Sequence, residues 1–253
     1  MIFDLQKASV TKRLSAYLLD FFAMCLLAAG LMAIIYDVVG YDAKVGELQS
    51  YYSEYEKEYG ISTEITNEEI QALPESERAK YDAASKAFAQ DERVMNIYSI
   101  LLNLTIVITS ISLLLSYVIT EFILPLILKN GQTLGKKVFN IAVMRVDGVK
   151  VSTFQLFVRA ILGKYTIETM LPILLIMMMM FGVMGGVALA VVLLLLVLQI
   201  IVISVSKTNS AIHDLFAVTV TVDLESQKIF DSESELMEYK KSVAEKKAAE
   251  APY

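Results

Sequence analysis

Thr11-Lys12-Arg13-Leu14-Ser15-Ala16-Tyr17-Leu18-Leu19-Asp20-Phe21-Phe22 opens an apolar run that continues to about Tyr36. The run exceeds the roughly 20 residues that a helix needs to cross a bilayer, so it reads as a membrane span. One residue breaks its character. Asp20 lies seven residues past Arg13, about 10 Å deeper at about 1.5 Å per helical residue. That is inside a hydrocarbon core about 30 Å thick. A carboxylate there costs on the order of 2.5–3.5 kcal/mol, so it is expected to be functional or structurally partnered.

The rest of the chain has the same character. Its 253 residues are 56% hydrophobic and contain no Trp, and the mean hydropathy is +0.56. This is the composition of a polytopic membrane protein rather than a soluble domain. Three further apolar stretches follow, at about 94–128, 165–183 and 187–206, and the last two meet at Gly182–Gly186, a natural tight turn. Residues 1–30 carry Lys7, Lys12 and Arg13 before the apolar run. That run is too long for a signal peptide and holds Asp20, so it is expected to be retained. Cys25 stands alone, which leaves no intrachain disulfide.

The net charge of −6 hides an asymmetry. Residues 37–93 are strongly acidic, whereas 129–164 carry Lys129, Lys136, Lys137, Arg145, Lys150, Arg159 and Lys164 against Asp147 alone. Basic loops stay in the cytoplasm, which places both termini inside and the acidic loop outside. The expected fold class is therefore an all-α protein of the plasma membrane. It has four transmembrane helices, a helical extracytoplasmic loop and a small cytoplasmic β element.

Six segments follow from this. Residues 1–36 hold the N-terminus and first span, 37–93 the outer loop, and 94–128 the second span. Residues 129–164 form the basic cytoplasmic loop, 165–206 the third and fourth spans, and 207–253 a strand and charged tail. In the outer loop, Tyr51, Tyr52, Tyr55 and Tyr59 recur at helical spacing and Gly60 is a stop, so two helices are expected there, more as a solvated connector than as a cation-gathering cap. The second stretch would reach about 52 Å as one helix, so it either projects from the bilayer or breaks before Pro125. Asn96, Asn103, Ser110 and Tyr117 mark a polar stripe along it, of the kind that joins helices.

Beyond the second span, residues 140–146 and 149–152 flank Asp147-Gly148, a strong hairpin signal, and 216–223 could add a third strand. Phe154, Phe157, Ala160 and Ile161 with Arg159 and Lys164 suggest an interfacial amphipathic helix. Ser232-Glu-Ser-Glu235 is a capping box before a solvated helix with a frayed end.

Measured from the basic ends of the spans, Asp20 is seven residues in, Glu121 eight from Lys129, and Gln199 eight from Lys207; Glu168 is shallower, four from Lys164. Three polar groups at one depth could meet in the bundle. Asp20 and Glu121, if close, would share a proton, which makes a site for a proton or small cation. The competing reading is a helix-locking ion pair, with Arg13 reaching Asp20 two turns away. Of the two, the lock is favoured on these residues alone.

Gly131-Gln132-Thr133-Leu134-Gly135-Lys136-Lys137 imitates a phosphate loop but is one residue short, has Lys137 in place of the hydroxyl, and lacks a βαβ context. A turn whose lysines meet lipid phosphates fits better. His213 is the only histidine, so no His-based metal cluster is expected, and a cap or hinge role suits it. No nucleophile–base pair, metal spacing or cofactor motif appears. The expectation is a non-enzymatic protein with neither metal nor cofactor, and with no nucleic-acid partner.

Arg13 with Asp20, GQTLGKKVFNIAVMRVDG after the second span, Arg159 before the third, and AIHDLFAVTVTVD after the last together resemble the RDD family of membrane proteins. The resemblance covers the first span and nearly all of 117–223. It maps the Arg and two Asp of the family's name onto Arg13, Asp20 and Asp214. The outer loop is longer here, two strong spans follow Arg159 where members commonly have one, and Ile212 precedes His213 in a segment that is often more basic.

The resemblance implies one of two roles. The first is a transporter, including the cation/proton antiporters proposed in the family. In it Asp20 and Glu121 would bind a proton or monovalent cation, Arg13 and Asp214 would gate, and an oligomer would complete the pathway. The second is a membrane adaptor that oligomerises with or regulates a protease or other complex, through the stripe, the Met177–Met180 run and the tail. Chemistry leans to transport.

Overall fold

The computed structural model describes residues 6–63, 65–206 and 208–250. In chain order its elements are α1 (Val10–Val38), α2 (Tyr41–Tyr59), α3 (Asn67–Ala72), α4 (Glu75–Gln90), α5 (Glu92–Leu128), α6 (Leu134–Val138) and β1 (Ile141–Arg145). They continue with α7 (Thr153–Met180), α8 (Gly185–Val205), α9 (Ile212–Ala217), β2 (Thr219–Asp223) and α10 (Glu233–Glu250). Among the described residues, α1, α5, α7 and α8 are long and apolar enough to cross a membrane. The expected class stands: a mostly helical membrane protein with a small two-stranded sheet. The chain divides into two compact units, Met1–Ala29 with Leu113–Tyr253, and Gly30–Ser112.

The smaller unit has three helices between the spans where two were expected. Gly40 and Gly60, both left-handed, bracket α2. The helical turns expected from Asn67 and Pro74 form as two separate helices: a Thr66–Glu69 capping box starts α3, and Pro74 precedes α4. Tyr52 and Tyr55 pack on Phe88, with ring centroids 4.6 and 5.2 Å away, and Ala84 is buried. Asp91 accepts from Arg93, which holds its carboxyl down to about 2. Asn96 and Asn103 are exposed, so the expected polar seam is not formed there.

The larger unit holds the sheet. β1 and β2 pair antiparallel from Ile141↔Asp223 to Arg145↔Thr219. Ala142, Met144, Val220 and Val222 are fully buried against Leu224 and Ile229. The expected hairpin is only partly made. The turn at Asp147-Gly148 closes, with the Gly148 N–H on the Arg145 carbonyl at 3.0 Å. The returning arm makes a single bridge, Met144↔Lys150, because Ser152 already caps α7 with Gln155. The outer edge of β2 is taken by the N-terminal segment instead, through Lys7↔Val222 and the Asp223 N–H on the Gln6 carbonyl. Residues 216 and 217, expected in the strand, end α9.

Two spans depart from regular α geometry. α5 neither stops before Pro125 nor runs as a plain helix. Val118–Ile123 form i→i+5 bonds, a wider turn ahead of a proline that cannot donate its own N–H. This turns Thr120 and Glu121 inward, both buried. α7 replaces the expected interfacial helix and separate third span with one helix, since nothing between Thr153 and Leu171 breaks it. Its Val158–Met170 portion is π-helical. Five-residue bonding stacks Arg159 over Lys164, and both are buried rather than interfacial. The α7–α8 turn falls where expected, with Gly182 and Gly185 at positive φ.

Candidate functional site

Among the described residues of the larger unit, the charges of the candidate site fall into two bonded groups and a separate arginine. Asp20 of α1 accepts from the Thr133 hydroxyl and, at 2.7 Å, from the Gly135 N–H at the start of α6. Gly135 is required by proximity: a Cβ there would collide with the Ala16 backbone oxygen of α1. Thr133 caps α6 and so turns Lys136 inward, where its Nζ lies 3.1 Å from Thr133 Oγ1 and 3.9 Å from both Asp20 and Glu121. Burial pulls the Lys136 ammonium down to about 8, helped by Lys164 and Arg159 and opposed by Glu121 and Asp20. Lys164 of α7 donates to Glu121 of α5. Two lysines thus neutralise the acids of α1 and α5.

A second group lies where α9 crosses α7. Arg159 Nη1 is 3.1 Å from Asp214 Oδ1, and its Nη2 is 3.2 Å from His213 Nε2. His213 Nδ1 lies 2.8 Å from Glu168 Oε2, and the His213 backbone N–H donates to Glu168 at 3.0 Å. The neutral imidazole protonated on Nδ1 satisfies this geometry: it donates to Glu168 and accepts from Arg159. Gln199 of α8 donates to Glu168 at 3.4 Å. Burial pushes the Asp214 carboxyl up, but Arg159, His213 and Arg13 more than offset this and hold it below its ordinary value. Gly163 lets α9 approach, since a Cβ there would lie 2.5 Å from that of His213.

Arg13 differs from the other cations. Its guanidinium donates to the carbonyls of Asn209 at 2.7 Å, Thr208 at 3.2 Å and Thr221. It ties α1 to the chain before α9 and to β2. Among the described residues no carboxylate lies within ion-pair distance of it, and its buried Nε has no acceptor.

These groups line a cavity of about 500 Å³ bounded by α1, α7, α8 and α9. Arg13, Asp20, Lys136, Arg159, Lys164, Glu168, Gln199, His213 and Asp214 all reach it, and apolar residues of α1 and α8 complete its wall. Four acids, Asp20, Glu121, Glu168 and Asp214, balance four bases, Arg13, Lys136, Arg159 and Lys164, when His213 is neutral.

Several expectations change. The Arg13–Asp20 lock is not formed, because Arg13 is spent on carbonyls and Asp20 on α6. Asp20 and Glu121 do approach one level, but Lys136 stands between them, so they have no need to share a proton. Gln199 joins Glu168 rather than Asp20, and Lys207, its depth mark, is outside the described residues. Asp214 meets Arg159, not Arg13. His213 bridges Glu168 and Arg159 instead of capping a helix. In the GQTLGKK loop, Gly131 sits under Val143 with φ 60°, Gln132 donates to the Ile141 carbonyl at 2.9 Å, and only Lys137 is exposed as expected of a lipid-facing lysine. Asn103 belongs to the other unit and is exposed.

Lys164 was missed as a site residue because it was read as a topology charge, and Lys136, expected to meet lipid phosphates as part of the loop motif, is instead buried between Asp20 and Glu121. The signal was present: three acids in apolar stretches, Asp20, Glu121 and Glu168, call for cations, and Lys164 is four residues from Glu168.

No curated protein and no solved structure matches the chain. The model of the RDD family matches residues 7–218, a span that holds every one of these charges. Arg13, Asp20 and Asp214, the three residues that carried the resemblance, all line the one cavity though none bonds another. The chain belongs to the RDD family.

Proposed function

We propose that this protein is a proton-coupled transporter of a small solute, without enzymatic activity, in which the His213–Glu168 pair carries the proton. The observation that supports it is the charge-balanced set of side chains at a cavity of about 500 Å³ among candidate membrane helices. A neutral set of buried charges holds together until one proton or one ligand charge is added, and then one pairing must change. A proton on His213 Nε2 would face the Arg159 guanidinium and turn it wholly toward Asp214, 3.1 Å away. Simple cation exchange is less favoured by this geometry. Asp20, Glu121 and Asp214 each have a cationic partner, which a monovalent cation would first have to displace.

The positive-inside rule puts the sheet end in the cytoplasm. Lys136, Arg159 and Lys164 are buried, so the exposed Lys129 and Lys137, with Arg145 and Lys150, carry that inference. A second reading, a membrane adaptor that oligomerises, is favoured by α8, which buries only Ala188 against the rest of the chain. The test is flux in proteoliposomes with a pH-sensitive dye inside, offering sodium, potassium, lithium and organic anions. A pH change lost in His213→Gln and Glu168→Gln at equal folded amount is expected. Silence from folded, oriented protein across all these solutes would overturn the reading and leave the adaptor.

A further inference from the structure

The wall of the cavity is unlike its floor. Val192, Leu195, Leu196, Gln199 and Ile203 place one face of α8 along it, a strip about 16 Å long at about 1.5 Å per residue. Leu14 and Tyr17 of α1 line it from across the gap. Leu14, Tyr17 and Leu196 are each more than half exposed. They lie within membrane-spanning segments, where the surrounding phase is acyl chain rather than water. The cavity is therefore a slot that is open to lipid, apolar along its length and charged at one end, near the start of α1.

At that end one cation has, among the described residues, no carboxylate within ion-pair distance. Arg159 faces Asp214, Lys164 faces Glu121, and Lys136 stands between Asp20 and Glu121. Glu168 faces His213. Among the described residues Arg13 meets only carbonyl oxygens, and its buried Nε, like Nη1 of Arg159, has no hydrogen-bond acceptor. When His213 takes a proton against Glu168, the set gains one positive charge, and the cation without a carboxylate among the described residues is Arg13.

We propose that this slot binds a singly charged oxyanion carried on an acyl chain, the head at Arg13 and the chain along the α1–α8 wall. The proposal rests on the transport reading only for its consequence, that such an amphiphile is the solute moved. A guanidinium suits either a carboxylate or a phosphodiester head, so a free fatty acid and an anionic membrane lipid share this chemistry. Bound with one proton on His213, the head restores neutrality, and the pair can travel together. The groups facing His213 in that state are Arg159, Lys164 and Glu168 of α7, Asp214 of α9, Gln199 of α8 and, more distantly, Arg13 of α1.

The experiment uses the full chain in nanodiscs of phosphatidylcholine, titrated with a doxyl-labelled stearate and read by spin-label immobilisation. In a second arm, phosphatidylglycerol in the disc competes with the probe. Saturable binding is expected, weakened about tenfold or more in Arg13→Gln, the loss expected for one charge-assisted contact. Because Arg13 also ties three backbone carbonyls, Leu196→Trp is the second variant. It fills the slot from an exposed position without touching a charge and should abolish binding at an unchanged melting temperature. Competition by phosphatidylglycerol assigns the site to membrane lipid, and its absence assigns it to the free acid. No saturable binding in either arm, or binding equal in wild type and Leu196→Trp, overturns the proposal. Binding without flux removes the transport reading and leaves the site. Flux of another solute with no binding does the reverse.

Discussion

Asp20 illustrates what a single residue does here. Its carboxylate is deep in an apolar helix, yet its two oxygens are met by the Thr133 hydroxyl and the Gly135 N–H, groups more than a hundred residues away in sequence. The cost of placing it there is offset by bonds that hold the loop before α6 on α1. Gly135 makes that contact possible. Gly135→Ala should push α1 and α6 apart and lower stability by about 1–3 kcal/mol or more, read as a fall in melting temperature in detergent. Gly30→Ala is the control, because nothing lies within 4 Å of a Cβ there. Being in the interior of α1, it should be neutral or stabilising.

Lys136 carries a pH signature. Its ammonium titrates at about 8 in the folded protein against 10.5 ordinarily. Between those values the unfolded chain binds more protons than the folded one, so the contribution of this group to stability rises with pH across that window. Below about 8 the penalty is fully present. Melting temperature measured against pH should show this rise in wild type and lose it in Lys136→Met.

At the scale of elements, α7 organises the site. Its π-helical turn puts Arg159 and Lys164 on one side, and Gly163 admits α9, which delivers His213 and Asp214. The ion pair between α7 and α9 is buried, so removing one partner is worse than removing both. Arg159→Met alone should cost about 3–5 kcal/mol, and adding Asp214→Leu should recover much of it. Equal losses in the single and double variants, measured by melting of the purified proteins, would show that the pair does not hold these helices. β1, β2 and residues 6–8 form a second element that fixes where α1 begins, and the tail completes it. Phe230, Leu236 and Val149 form one buried cluster, and the Lys150 backbone N–H donates to the Phe230 carbonyl at 2.8 Å. Removing residues 240–253 should therefore leave melting unchanged, whereas removing 225–253 should lower it. A deletion meant to probe a partner has to begin after Tyr239.

For the whole molecule, hydropathy and charge written along the chain were sufficient for the architecture. Four apolar runs, the acidic loop, the glycine turn between the last two spans and family membership were all legible, because each depends on local composition or a short linear pattern. The polar residues of the site were legible as candidates for the same reason: an acid inside an apolar run must be accounted for. Their partners were not. Charge against chain position cannot tell a lysine that marks a basic loop from one buried beside a carboxylate on another helix, and that difference sets the roles of Lys136 and Lys164. The widened turns in α5 and α7 rotate side chains off the ordinary helical spacing, so the depth ruler that grouped Gln199 with Asp20 failed. The sequence by itself determined how many segments are long and apolar enough to cross a membrane and which polar groups go with them. Which cation meets which acid, and that Arg13 meets none among the described residues, was decided only by tertiary structure, because pairing depends on distances between helices that no linear pattern encodes.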